Sequence, residues 1–483
     1  MKMNPAGIVS CGILLYNKHS LKIYLGSKMK NIYKKLFIIV LPISFQYLMS
    51  ALVSASDAFM LGFLDQDSLS AVSLATQIAF IYSLFFGAFV YGCSVLAAQY
   101  WGKGDKKTVD EVLAITMRYT LLVGLIFTLA TLFVPKQIMH VFTSDPILIS
   151  KGAGYLRMVS LSYIIGGFSQ VYFGILKICD KAVLSSVIGS ISVVLNIVLN
   201  ACLIFGLGFF PEMGIGGAAL ATIIARVFEA AFVLVLIFMG KCPSLNIMKM
   251  LMINSVGQRL SKELHKDYWK YTVPLLLNQL GWGGGVAMYS VIMGHLGSDA
   301  TAANSIASIV RGIVASFCWG IASGVSIILG QMMGRNELDE AKRAGGSFVR
   351  FSILIGFISG LILLAVTPLL MKVITFEGQA RGYLKIMMFL SSYYIIGNSL
   401  NSTIIGGIFP AGGDTKFGMW CDIITLWGVV VPLGMLGAFV WKFSIPVVAF
   451  ILTLDEFVKI PAVYIHYMKY KWVKNITKEV ASE

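Results

Sequence analysis

The sequence predicts an all-α integral membrane protein of twelve transmembrane helices in two pseudo-symmetric halves of six. Three observations predict it: an excess of apolar residues, twelve apolar runs long enough to cross a bilayer, and a repeat that aligns the halves. Of the 483 residues, 57% are hydrophobic and 13% charged, and the mean hydropathy is +0.82. Ordinary soluble domains carry about 25% charged residues. A water-surrounded core cannot hide so much apolar surface, whereas a bilayer is itself an apolar solvent for helices that satisfy their own backbone.

A spanning helix needs roughly 20 apolar residues. Such runs lie at 36–64, 70–97, 112–134, 155–177, 182–206, 215–240, 270–296, 303–331, 347–370, 383–409, 417–440 and 445–468. Lys and Arg concentrate in the N-terminal tail, 98–110, 177–181, 241–270, 335–345, Lys416 and 469–483. The opposite loops, 135–157, 372–385 and Lys442, hold few. The positive-inside rule therefore predicts a multi-pass protein of the cell membrane with both termini in the cytoplasm. The layout is a tail (1–35), a first lobe (36–240), a polar linker (241–267, with Lys262, Glu263, Lys266 and Asp267), a second lobe (268–468) and a second tail (469–483). Gly7–Tyr16 is too short to span, and Met29 makes a normal start before the first helix, so translation is expected to begin there.

The halves align without gaps at an offset of 232 residues over a long stretch. Pro42 meets Pro274, Gly62 meets Gly294, Gly92 meets Gly324, Gln99 meets Gln331, Gly102 meets Gly334 and Arg118 meets Arg350. With small insertions, Cys179-Asp180-Lys181 meets Gly413-Asp414-Thr415-Lys416. Six helices per half make both repeats enter from the same side, related by an axis along the membrane normal. Repeats of this kind belong to transporters that rock about a midplane site.

The net charge of +15 falls mainly in loops and forms no basic stripe with interleaved aromatics, which excludes nucleic acid as a partner. The seven cysteines lack C-x-x-C spacing and read as small buried hydrophobes, with no disulfide framework and no structural metal. No phosphate-binding loop is present, so no nucleotide drives the protein and uphill movement must draw on an ion gradient. The cluster Gly281-Trp282-Gly283-Gly284-Gly285 lies inside a span, where small residues allow close packing or a hinge.

Ionisable residues inside spans are costly and are functional candidates. Asp57 lies seven residues before Leu64, about 10 Å below the outer end of the first span at 1.5 Å per residue. Gln46, Ser50, Ser54 and Asp57 share one helical face, which should line a cavity. Taking a carboxylate out of water disfavours its bare charge, so it can accept a proton or metal cation in one conformation and release it in another. The bland alternative is a carboxylate fixed permanently by neighbouring donors. The fifth span offers Ser192, Asn196 and Asn200 at spacings of four. They could coordinate a cation or hold Asp57, or simply bond between helices. Arg226 with Glu229 in the sixth span, and Glu456 with Lys459 in the twelfth, are opposite-sign pairs that would neutralise themselves, leaving Asp455 unpaired. Asn278, Tyr289, Arg311, Asn398 and Asn401, with Ser402, are candidates for the second-lobe cavity. Asp422, six residues from Lys416, is expected near the cytoplasmic interface.

Several stretches resemble the multidrug and toxic compound extrusion (MATE) family. They are Pro42 with Asp57-Ala58-Phe59-Met60-Leu61-Gly62, Ala98-Gln99-Tyr100-Trp101-Gly102, Leu195-Asn196-Ile197-Val198-Leu199-Asn200, Gly214-Ile215-Gly216-Gly217-Ala218-Ala219-Leu220-Ala221-Thr222, Gln331-Met332-Met333-Gly334 and Ala411-Gly412-Gly413-Asp414-Thr415-Lys416. The likeness runs from about residue 36 to 470 and rests on order and spacing. It implies two six-helix lobes around a central cavity, a monomer, and export of amphipathic, often cationic, small organic molecules in exchange for H⁺ or Na⁺, with no other cofactor. It also implies that Asp57, Asn196 and Thr222 belong to the cation-coupling site. Many relatives carry Asp where this chain has Asn200, and some use an acid in the seventh span, where the repeat partner of Asp57 is Tyr289. Those departures weaken a sodium site and favour a proton. The rival readings are a flippase for lipids or lipid-linked sugars, which should show cationic grooves inside the lobes, and a membrane-embedded enzyme, for which no catalytic constellation is present.

Overall fold

The computed structural model describes residues 34, 36–53, 56–57, 59–208, 210–240, 259–374 and 379–478. The expected start at Met29, Ser54 and the linker 241–258 lie outside the described residues. Twelve helical passes form two lobes, and the described residues contain no strand. The first lobe comprises α1 (Leu36–Val53), α2 (Gln66–Lys103), α3 (Lys106–Phe133), the short α4 (Pro135–Phe142), α5 (Pro146–Val159), α6 (Leu161–Ile178), α7 (Ala182–Phe205) and α8 (Ile215–Phe238). Residues 56–57 and 59–62 are helical too, so the first pass carries Asp57. The second lobe comprises α9 (Arg259–His295), α10 (Ser298–Gly334), α11 (Leu338–Val373), α12 (Ala380–Asn401), α13 (Thr415–Ile423), α14 (Ile445–Leu452), α15 (Asp455–Val458) and α16 (Ile460–Met468).

Nine of the described helices are long and apolar enough to cross a membrane. The other three passes are α9, α12 and the interrupted α14–α16, which carry the glycines, amides and charges that lower their hydropathy. Three expectations change. The fourth pass begins at Pro146, not near residue 155, and bends at Ser160 between α5 and α6. The loop before it contains α4. The last nine linker residues, 259–267, are helical, since α9 starts at Arg259: Leu264 and Tyr268 are buried, while Glu263 and Asp267, one turn apart, hold Lys478 Nζ at 3.3 and 2.7 Å. The twelfth pass is broken at Thr453–Leu454 and at Lys459, with Pro446 and Pro461 at the first turns of its outer pieces. The tenth and eleventh passes continue beyond α12 and α13 through π-helical turns at Ser402–Ile408, Ile424–Val430 and Leu436–Val440.

Local chemistry sets the helix ends. Asp65 caps α2 by accepting from the Ser68 amide at 2.7 Å and its hydroxyl at 2.5 Å. Lys151 of α5 reaches the same carboxylate at 2.7 Å, tying α5 to this cap. The Lys151 ammonium and the Ser68 donors hold the Asp65 carboxyl below the usual carboxylate range. A depressed value means the cap is intact above the ordinary Asp value of about 3.9 and is lost only as pH falls through the lower, folded-state value. Hydrogen-exchange protection at the Ser68 amide should therefore be the same at pH 7 and pH 5.

The repeat is visible in the joints between lobes. α2 ends at Gly104, with φ +88°, and the repeat-equivalent Asn336 closes α10 with φ +62°. A Cβ on Gly102 would lie 2.1 Å from the Gln331 carbonyl oxygen, and one on Gly334 would lie 1.9 Å from that of Gln99. Likewise Gly92 faces Thr272 and Gly324 faces Val40, contacts that interchange under the offset. The Gln331 amide donates to the Ile178 carbonyl at 2.8 Å, as Gln99 donates to that of Ala411 at 2.7 Å. The chain's last described stretch is laced into this joint: the Ile476 amide donates to Gln99 Oε1 at 2.8 Å, and Trp472 is fully buried. Gly334→Ala is expected to destabilise the protein by about 1–3 kcal/mol, the usual range for overpacking. A fall in detergent Tm would show it, with Gly294→Ala, which has open space around it, as the unaffected control.

Candidate functional site

In the first lobe, the helical spacing that puts Asn196 and Asn200 on one face of α7 turns both inward, and the first pass brings Asp57 against them. Asn200 is fully buried. Its Nδ2 donates to Asp57 Oδ1 at 2.5 Å and to Asn196 Oδ1 at 3.3 Å. Asn200 Oδ1 is buried with no partner among the described residues. Asp57 itself is half-buried and has no Lys, Arg or His in ion-pair range among the described residues. Tyr155 of α5 packs beside Leu61 and Leu64 on the same pass and lies within electrostatic reach of the Asp57 carboxylate. The site thus offers one anionic oxygen pair and an orphan amide oxygen, a set of acceptors that a proton or a small cation would satisfy.

Other residues expected here do different things. Thr222 donates to the Ala218 carbonyl of its own helix at 3.0 Å, and among the described residues no hydrogen bond joins it to Asp57. Ser192 donates to the Ala225 carbonyl at 3.1 Å and so fastens α7 to α8. Gln46 is buried against α7, where a Cβ on Gly189 would lie 2.9 Å from its Nε2. Ser50 is exposed and donates to the Gln46 carbonyl at 3.0 Å. Of the expected cavity-lining face, Gln46 thus packs against α7 and Ser50 is exposed. Arg226 and Glu229 form the anticipated ion pair at 2.9 Å.

The second lobe gathers a larger network at the broken twelfth pass. Lys459 Nζ sits between Asp422 Oδ1 at 2.9 Å and Glu456 Oε2 at 3.1 Å. Asn278 donates to the other Asp422 oxygen at 2.8 Å. Asn398 and Asn401 donate to the two Glu456 oxygens at 3.0 and 2.8 Å. Arg311 lies 5.0 Å over the ring of Tyr394 and bonds Ser308 at 3.3 Å, while the Tyr394 hydroxyl meets Glu456 Oε1 at 3.4 Å. Asp422, expected near the water interface, is instead buried inside the lobe, because it supplies Lys459 with a second counter-charge. Asp455 Oδ1 and the Tyr289 hydroxyl are buried without partners among the described residues. Among the described residues, no group of His, Cys, Asp and Glu could hold a metal ion.

Reasoning from the sequence missed two features. The pairing of Asp422 with Lys459 joins helices 37 residues apart, and no local spacing signals it. Lys177 was counted with the loop 177–181, but it belongs to the last turn of α6, and its Nζ lies 5.7 Å over the Tyr47 ring.

Comparison with known proteins agrees with the repeat. The family profile described as MatE matches residues 42–202 and again 274–436, so the two matches begin at the paired prolines. An uncharacterized transporter, YisQ of Bacillus subtilis, is 22% identical over 441 residues, covering 91% of this chain and 95% of that protein. A probable multidrug resistance protein of the same organism, YoeA, is 26% identical over 381 residues, covering 76% and 78%. Among solved structures, a MOP superfamily transporter from Pyrococcus furiosus superposes with a TM-score of 0.81 at 18% identity, covering 91% of this chain and 96% of that one.

Proposed function

The chain belongs to the MatE family of multi-pass membrane transporters, and from that premise we propose that it is an antiporter exporting amphipathic, often cationic, small organic molecules in exchange for H⁺ or Na⁺. One observation carries the reading: Asp57, inside the first pass, meets an amide donor but no cation among the described residues. A bare carboxylate in that setting is costly. It is relieved by a coupling ion that can come and go as the lobes rock. Asn196 and Asn200 assist it, and Thr222 plays no direct part. A single carboxylate with neutral amides suffices for one proton, so H⁺ is the coupling ion of choice.

The protein acts in the cell membrane as a monomer, since one chain supplies both repeat-related lobes, and it uses no nucleotide or other cofactor. The basic loops support cytoplasmic termini. The close inter-lobe backbone contacts at Gly102 and Gly334 then lie on the cytoplasmic side. The flippase reading predicts cationic grooves. Arg226 and Lys459 are neutralised by carboxylates, whereas Arg311 and Lys177 face aromatic rings, so transport assays must separate the two readings.

Efflux of a fluorescent organic cation from right-side-out membrane vesicles tests the proposal. A pH gradient alone should drive it, with no requirement for Na⁺. Sodium-driven efflux without a pH gradient would reassign the ion, and failure of either gradient to move any tested cation would overturn the antiport reading.

A further inference from the structure

Lys177 has no role in the cation chemistry above, yet its surroundings are unusual for a lysine near a helix end. It could reach water beyond the α6 terminus. Instead its ammonium turns inward over the Tyr47 ring at 5.7 Å, half-buried and with no carboxylate in ion-pair range among the described residues. Arg226 and Lys459, by contrast, each sit against carboxylates. The second repeat has no equivalent cation: two residues before Gly413, the match of Cys179, stands Ala411. Lys177 is thus no shared structural device of the fold.

Around it the unpaired groups are donors. The Tyr47 and Tyr91 hydroxyls are 3.5 Å apart. Two phenols bring two hydroxyl protons, and the bond between them uses one, so one remains for a third oxygen. Tyr47 also packs edge-on to Trp319 at 6.4 Å, and Trp319 to Trp282 at 6.3 Å. Both indoles are half-buried, and neither N–H has a partner among the described residues. The repeat-equivalent joint is Gln279 against Gly87, so the aromatic wall exists on one side of the pseudo-axis only. Tyr47, Tyr91 and Lys177 come from the first lobe and Trp282 and Trp319 from the second, so a ligand held here would feel the lobes move.

We propose that Lys177, the Tyr47–Tyr91 pair and the Trp282–Trp319 wall form a substrate subsite for the anionic group of an aromatic amphiphile, best met by a planar aromatic carboxylate. The inference deepens the export reading and rests on it: the substrate carries a negative charge at this end, as an anion or a zwitterion. One lysine with neutral donors matches a single negative charge, and the rings match a flat body better than an alkyl chain. A lipid phosphate shares the anionic chemistry and is the competing source.

The test is binding to the purified full-length protein in nanodiscs, read by quenching of tryptophan fluorescence. The probes are 2-naphthoate, the cation 2-naphthylmethylammonium with the same ring, and dodecyl phosphate. Wild type should bind naphthoate more tightly than dodecyl phosphate. Lys177→Gln should weaken naphthoate at least tenfold and leave the ammonium probe unchanged or tighter, while Lys177→Arg keeps naphthoate binding. Should Lys177→Gln not fold, Tyr91→Phe decides: it should weaken naphthoate severalfold and spare the ammonium probe. Naphthoate affinity indifferent to the folded variants, or tighter binding of dodecyl phosphate, overturns the inference. Gradient-driven movement of the ammonium probe, measured separately, keeps the two readings apart. Transport without naphthoate binding defeats this inference alone, and naphthoate binding without transport of either probe defeats the export reading alone.

Discussion

Asp57→Asn is expected to reduce gradient-driven efflux of organic cations to the level of vesicles lacking the protein, with the fold intact. The substitution keeps the size and the position of the side chain. Its amide can still meet Asn200, by presenting its oxygen to the same Nδ2 that now donates to Asp57 at 2.5 Å. What disappears is the one carboxylate among the described residues of the site, the group proposed to exchange a proton for a substrate. Antiport needs the ion and the substrate to bind at each other's expense, which requires a coupling free energy between them. Without a titratable group that coupling falls to zero, however well the substrate still binds. Downhill exchange of labelled substrate should therefore survive better than uphill efflux. Full gradient-driven efflux in the variant would remove Asp57 from the coupling role and move attention to Asp455 and Glu456.

Lys459→Met should produce the largest loss of stability of any single change in the second lobe. The ammonium sits between Asp422 and Glu456, all three side chains being buried. Removing one partner from a buried ion pair leaves an uncompensated charge and commonly costs about 3–5 kcal/mol. Here two carboxylates lose their shared counter-ion. Thermal unfolding in detergent would show the loss directly. Adding Asp422→Asn to Lys459→Met should recover part of it, because the second change removes one of the stranded charges, although each alone is destabilising. A double variant no more stable than Lys459→Met would mean that the three groups do not share one electrostatic balance.

The same cluster shows where the sequence was legible. The helical spacing of Asn196 and Asn200 anticipated that they would meet on one face, because periodicity fixes which side chains lie together, and the structure brings Asp57 to the same place. The pairs Arg226 with Glu229 and Glu456 with Lys459 were legible for the same reason, being one turn apart. Asp422 was not, since its partner belongs to another pass and only tertiary packing brings it near. Lys177 was hidden by its place one residue from the end of α6, where charge near a helix end ordinarily means a loop. Sequence pattern alone does not show how a polar residue on an inward face is used: Thr222 donates to the backbone of its own helix, and Gln46 packs against Gly189 of α7. The repeat paired Gln99 with Gln331 and Gly102 with Gly334, but that these residues form the lobe joints, with the last described stretch bonded to Gln99, came only from the structure.

The central claim is that a proton on Asp57 and a substrate compete. Isothermal calorimetry of organic-cation binding to the purified protein, repeated in buffers of different ionisation enthalpy, measures the protons exchanged per substrate bound. The account predicts net proton release in the wild type near neutral pH, with Na⁺ absent, and none in Asp57→Asn. Equal release in both proteins, or binding by the wild type that is indifferent to both H⁺ and Na⁺, would contradict it.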